Sequence, residues 1–385
     1  MVKILTSFLA LSAALSVVFG HAGHHALDIL EKRAAVANPC PAYTAVPAGQ
    51  YPTADCVPYV QDPQVQQWLK LVDFTKVPVF PASVVDKVTG SNCPANLATI
   101  PQNQCWWSCQ KCVDPNDIVD CPTPGTWGLT YDDGPSPDSP RLYDYLLAHN
   151  QKATLFVVGS RIRYYPTLLQ RAYKEGHHIA IHTWSHPSMT TLTNEQVVAE
   201  LKWTEKIIFD TIGVTPLYWR PPYGDVDNRV RNIATQLGYK TSIWTMDFDT
   251  DDWNIPANKS TPQAVIATFQ SWLPKIPTMK TGFIVLEHDL FPQEVDVSIT
   301  GILPLAYKDS GLSIVPIAQC RNDATPYKEG AGSFKLQHNS TSSPNSGSTG
   351  PTVINPNAAT ALSPALTNTI LAAGSAFIMA SVVGL

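Results

Sequence analysis

The chain has 385 residues, a formal net charge of -5, 44% apolar residues and 15% charged ones. Those proportions describe a soluble globular protein with one large domain and extensions. They argue against nucleic acid as a partner, because no surplus of Lys and Arg is available to neutralise phosphates.

At the amino end, Lys3 and the apolar run over residues 4–19 have the layout of a secretory signal, so residues 1–20 are expected to be cleaved after Gly20. Lys32-Arg33 then offers a dibasic processing site, and residues 21–33 read as a pro-peptide. Its His21, His24 and His25 are read as part of a discarded spacer rather than as metal ligands. Residues 34–120 are rich in Pro, Cys and scattered aromatics, without periodicity apart from a helix candidate over 65–72. This is a disulfide-stapled extension. Its Trp106-Trp107 offers flat faces for sugar rings, with burial against the main domain as the alternative.

Eight cysteines in a secreted chain favour disulfides over metal thiolates, even where Cys105, Cys109 and Cys112 have knuckle-like spacing. Cys40, Cys56 and Cys93 share that region with them, whereas Cys121 and Cys320 bracket the segment that follows and are expected to bond. Within 121–320 the texture alternates. Strand candidates are 127–131, 153–158, 178–182, 217–219, 241–245, 282–287 and 312–317, and helix candidates are 141–149, 166–175, 194–212, 228–237, 262–273 and 297–308. Thr193 with Gln196 forms a capping box, Gly213 stops that helix, and Pro262 suits a first turn. Seven strands alternating with helices give an α/β class with parallel βαβ units, closed as a barrel or open as a doubly wound sheet.

Past Cys320, residues 321–357 turn to Ser, Thr, Gly, Pro and Asn and read as a disordered, glycosylated stalk. Asn258 and Asn339 head glycosylation sequons. The small trio Asn357-Ala358-Ala359, a polar spacer and an apolar tail over 370–385 follow the order of a GPI-attachment signal, so residues 358–385 are expected to be removed with Asn357 as the attachment residue. A membrane helix is the alternative, but the tail is short for a bilayer core of about 30 Å.

Five motifs fall at successive strand ends. Trp127-Gly-Leu-Thr-Tyr-Asp-Asp-Gly-Pro-Ser136 delivers the adjacent carboxylates Asp132 and Asp133 into a Gly-Pro turn. Two acids side by side repel unless one meets a cation and the other a donor, which anticipates a metal and a basic residue. His182-Thr-Trp-Ser-His186 places two imidazoles where both face one ion. Thr183 stands where a zinc protease has its Glu, so the base must come from Asp132 or Asp133. In Arg220-Pro-Pro-Tyr-Gly224 the prolines remove their own donors and leave the Tyr223 and Gly224 amides for a ligand. Asp247-Phe-Asp-Thr-Asp-Asp-Trp253 is an acid cluster closing on an indole, and Ile284-Val-Leu-Glu-His-Asp289 delivers His288.

With these five motifs, residues 121–320 resemble the polysaccharide deacetylase family, carbohydrate esterase family 4 with its NodB-type domain, and within it the fungal chitin deacetylases, which often carry a GPI signal. The resemblance implies a distorted (β/α)7 barrel, a divalent metal and hydrolysis of N-acetyl groups. Zinc is the expected metal and cobalt the alternative. Asp133, His182 and His186 resemble the metal triad, Asp132 the general base and Arg220 its partner. Tyr223 resembles the oxyanion donor through its amide, His288 the general acid, Asp252 the carboxylate orienting that acid, and Leu286 part of the acetyl-methyl pocket. Trp184, Trp253 and Tyr223 are candidate sugar-stacking surfaces, with burial as the alternative for Trp184.

The expected activity is therefore deacetylation of chitin or chitooligosaccharides by a secreted monomer, GPI-anchored to plasma membrane or cell wall. An O-acetyl esterase acting on xylan is the competing enzyme. A non-catalytic wall carbohydrate-binding protein would call for a broken triad, and no motif position is lost.

Overall fold

The computed structural model describes Cys40 and residues 45–86, 90–308 and 311–335. Its strands are short: β1 (Thr126–Gly128), β2 (Thr130–Asp132), β3 (Thr154–Val157), β4 (His178–Ile181), β5 (Tyr218–Trp219), β6 (Lys240–Thr241), β7 (Phe283–Ile284) and β8 (Ser313–Val315). Every ladder between them is parallel. Leu155, Phe156 and Val157 of β3 and Ile179, Ala180 and Ile181 of β4 are all buried, as a parallel sheet covered on both faces requires.

The strand expected over 127–131 is cut at Leu129, and its halves serve different sheets. β1 lies between β7 and β8, while β2 starts the order β2-β3-β4-β5-β6. Gly128 lets β1 settle onto the Cys121–Cys320 disulfide, since a Cβ there would lie 3.0 Å from both the Cys121 sulfur and Ile284. Ser242 still donates its amide to the Trp219 carbonyl of β5, and beyond it the chain leaves that strand: the Thr245 amide donates to the Ile284 carbonyl, and Asp249 bridges to Leu286. That crossing shortens the expected strand 241–245 to two residues and links β6 to β7. A further bridge between Asp132 and His288 joins the end of β7 to β2. The ring so closed is a distorted barrel in which eight strands fill seven positions.

Five helix candidates form near their expected limits: Ser139–Ala148, Pro166–Lys174, Asn194–Ile212, Asn228–Gln236 and Pro262–Trp272. The Thr193–Gln196 capping box and the left-handed Gly213 bound the longest of them. The sixth, over 297–308, breaks into Pro292–Val297, a π turn at Ser298–Ile302 and Leu303–Lys308. Pro304 has no amide to give the preceding turn, which accounts for the interruption.

The extension is not an appendage. The helix Pro63–Trp68 packs on Asn194–Ile212, with Trp68 edge-on to Trp203 at 5.1 Å, and Val65, Val72 and Val77 are part of the main core. Apart from the helix candidate over 65–72, which forms as Pro63–Trp68 and a further turn at Leu69–Leu71, it buries one side chain at a time, which no pattern reveals. Its cysteines pair as Cys40–Cys56, Cys93–Cys109 and Cys105–Cys112. The stalk also begins later than expected. Tyr327 and Phe334 are buried, and the Tyr327 hydroxyl accepts from the Ile179 amide at 2.9 Å, so residues 321–335 belong to the folded unit. Two aromatics among polar residues carried that information. Residues 1–39 and 336–385, with the signal, pro-peptide, most of the stalk, Asn339, Asn357 and the GPI tail, lie outside the described residues. Among the described residues no helix is long and apolar enough to cross a membrane.

Candidate metal centre and active site

The carboxyl ends of the strands gather the motif side chains, as in other barrels of this construction. β2 ends at Asp132, and Asp133 turns away in left-handed backbone at φ 77°. The two neighbours therefore face different partners. Asp132 Oδ1 accepts from Arg220 Nη1 at 2.8 Å, and that fully buried guanidinium also donates to Thr130 Oγ1 at 2.8 Å and to the Ile243 carbonyl at 2.9 Å. It lies 4.1 Å from the centre of the Phe156 ring, so its orientation is fixed from several sides. Charge on Asp132 is offset without a metal.

Asp133 meets the histidines. Its Oδ1 lies 3.4 Å from His182 Nε2 and 3.1 Å from His186 Nε2, and one donor atom from each of the three residues falls within 4.8 Å of the others. His182 Nδ1 donates to the Arg220 carbonyl at 2.8 Å, which leaves Nε2 to present a lone pair. Burial pushes this imidazole down to about 4, so it is neutral near pH 7. His186 Nδ1 is 3.2 Å from the Tyr223 hydroxyl. Two imidazoles and one carboxylate converging from two strand ends form a donor set that fits a divalent cation with positions left open. These are the residues that would hold such an ion.

The loop bearing the histidines is strained and braced. Thr183 and His186 have φ of 66° and 58°. Glu200, wholly buried on Asn194–Ile212, accepts from the Trp184 and Ser185 amides at 2.7 and 2.9 Å and from Ser185 Oγ at 2.5 Å. Burial outweighs these donors and pushes its carboxyl up to about 7. Sequence reading passed over Glu200. The signal was an acid on the same face as Val197, Leu201 and Thr204.

On the adjoining strand His288 Nδ1 donates to Asp252 Oδ1 at 2.7 Å, and Asp252 Oδ2 accepts the His288 amide at 2.8 Å. One buried carboxylate thus fixes both the ring and the backbone of His288. Leu286 is buried two residues earlier, its carbonyl accepting from Thr250 Oγ1 at 2.9 Å. Burial also pushes the neighbouring Asp249 and Asp289 up, to about 6 and about 7.

Two expectations are corrected. Trp184 offers no sugar surface: it is 0% exposed, its ring stacks near Tyr51 at 6.1 Å, and its Nε1 donates to the Thr53 carbonyl. The extension supplies both of those partners, and so decides the burial. The Gly224 amide is not available to a ligand either, because it donates to the Pro221 carbonyl at 3.0 Å within a tight turn. Tyr223 and Trp253 do reach the surface, at 49% and 39% exposure. Asn258 is exposed too.

A family model described as polysaccharide deacetylase matches residues 120–242. Chitin deacetylase 1 of Cryptococcus neoformans var. grubii is 45% identical over 286 residues, covering 72% of this chain and 60% of that protein. The chain thus spans well under the full length of that relative. Chitin deacetylase 2 of Saccharomyces cerevisiae is 33% identical over 273 residues, which is 70% of this chain and 78% of the yeast protein. The solved chitin deacetylase of Colletotrichum lindemuthianum superimposes with a TM-score of 0.50 at 30% identity, covering 59% of this chain and 100% of that one. With the motif residues gathered at one end of such a barrel and this extent of shared sequence, the chain belongs to the polysaccharide deacetylase family.

Proposed function

We propose that the protein is a zinc-dependent chitin deacetylase, converting N-acetylglucosamine units of chitin to glucosamine with release of acetate. One observation carries the reading: the cluster of Asp133, His182 and His186 stands beside an Asp132–Arg220 pair, with a His288–Asp252 pair bridged to Asp132 through the backbone. The named activities of the similar fungal proteins support the substrate class.

Zinc held by Asp133, His182 and His186 would supply Lewis-acid polarisation to the attacking water and the acetyl carbonyl. Asp132 takes the proton as water adds to that carbon, and Arg220 keeps the carboxylate aimed. The Tyr223 amide donates to the developing oxyanion, a kind of contact that contributes about 3–4 kcal/mol. His288, its Nδ1 tied to Asp252, gives a proton to the leaving nitrogen as the C–N bond breaks. Leu286 lines the methyl pocket, and the exposed rings of Tyr223 and Trp253 stack on sugar faces. The signal and GPI sequences support a secreted monomer tethered at membrane or wall, glycosylated at Asn258 and Asn339.

The test is mass spectrometry of products from N-acetylglucosamine oligomers, with acetylated xylan in parallel. Loss of acetyl from the oligomers at the higher kcat/KM is expected. Turnover of xylan alone would assign the protein to O-acetyl ester hydrolysis instead.

A further inference from the structure

Tyr223 sits in left-handed backbone at φ 60° and ψ 11°, and Gly224 follows at φ 63°. A tyrosine holds that conformation only where its surroundings impose it. The wedge is Trp107. A Cβ on Gly224 would lie 2.4 Å from the Trp107 ring, so the backbone of the loop rests directly on the indole. Trp107 is itself buried, with Trp244 edge-on at 4.5 Å, and its amide donates to the Val226 carbonyl at 2.9 Å.

A second set of contacts locks the same junction. The buried Asp225 carboxylate accepts from Trp106 Nε1 at 2.7 Å and Ser108 Oγ at 3.1 Å on the extension, and from the Thr190 amide at 2.8 Å. Thr190 belongs to the segment that follows His186, so one carboxylate ties both active-site loops to the extension. The turn carrying these tryptophans is closed by Cys93–Cys109 and Cys105–Cys112. It lies outside residues 120–242, where the family match falls.

We propose that Trp107 is a positioning residue for the Tyr223 amide, with Asp225 as the anchor that fixes the cysteine-rich turn against that loop. The extension is then a working part of the active site. This rests on the reading of Tyr223 as oxyanion donor, and the test separates the two.

Trp107→Leu and Trp107→Phe are compared in the full chain with zinc present, by amide hydrogen exchange over residues 220–226 and by kcat and KM on an N-acetylglucosamine oligomer. Trp107→Leu is expected to speed exchange there and lower kcat about 100-fold, with KM within about twofold. Trp107→Phe, which keeps a flat ring under Gly224, is expected to restore most of both. Unchanged exchange in Trp107→Leu overturns the proposal. Faster exchange with kcat intact upholds the positioning and overturns the Tyr223 reading instead. Should Trp107→Leu fail to fold, Trp106→Phe removes one donor from Asp225 and is expected to lower kcat about tenfold with faster exchange; no change in either overturns the anchor.

Discussion

β4 has a pair of imidazoles at each end, and the pairs share little beyond residue type. At its amino end His178 lies among Tyr218, Phe334 and Tyr327, with ring centres at 4.9, 5.7 and 6.0 Å, and its Nδ1 is 3.0 Å from Thr154 Oγ1. His177 accepts the Ala153 amide at 3.2 Å. Burial pushes both down to about 3. At the carboxyl end His182 and His186 share Asp133, and Arg220 and Asp132 stand alongside. The pair proposed as ligands is the one that a carboxylate and an open loop accompany. The pair at the amino end is core.

Removing the base at the carboxyl end should cost the most. Asp132→Asn should lower kcat about 10³-fold with zinc still bound, and a loss below tenfold would remove Asp132 as the base. At the other end, His178→Gln should leave kcat unchanged in the folded protein.

A smaller effect divides the two halves of the reaction. His288→Ala should cost about 100-fold on an acetamide and about tenfold or less on an activated acetate ester, whose leaving group needs no proton. Equal losses on both would contradict an acid role.

A third test is of stability against pH. His178 stays neutral in the fold down to about 3, whereas an unfolded imidazole takes up a proton below its ordinary value of 6.5. The unfolded state therefore binds more protons between those values, and the contribution of His178 falls as pH drops through that window. Glu200 runs the other way: burial raises it to about 7, so its contribution is present at low pH and lost as pH rises towards that value. Comparing the chain with its His178→Gln variant isolates the histidine. In denaturant unfolding from pH 7 to 4 the variant should lose less stability than the native chain, by at most about 3.5 kcal/mol; an equal loss would contradict a neutral His178.

The motif positions were legible because each closes an apolar run with a turn signal, and strand ends can be read at period two. His182 and His178 were less separable, since only three residues of one strand lie between them and the neighbours from other elements decide. Trp184 misled for that reason: it stands between two ligand candidates, yet its partners Tyr51 and Trp203 come from the extension and from the helix Asn194–Ile212. Beyond its one helix the extension carried no period to read. Its aromatics are placed by Asp225 and Gly224, residues whose importance appears only once the loops are folded together.

One cation held by Asp133, His182 and His186 is what the proposed chemistry requires. Titration of zinc into the metal-stripped protein tests it most directly. One tightly bound equivalent is predicted for the native chain and for His178→Gln, and none for Asp133→Ala. A full equivalent still bound by Asp133→Ala, or one lost with His178, would contradict it.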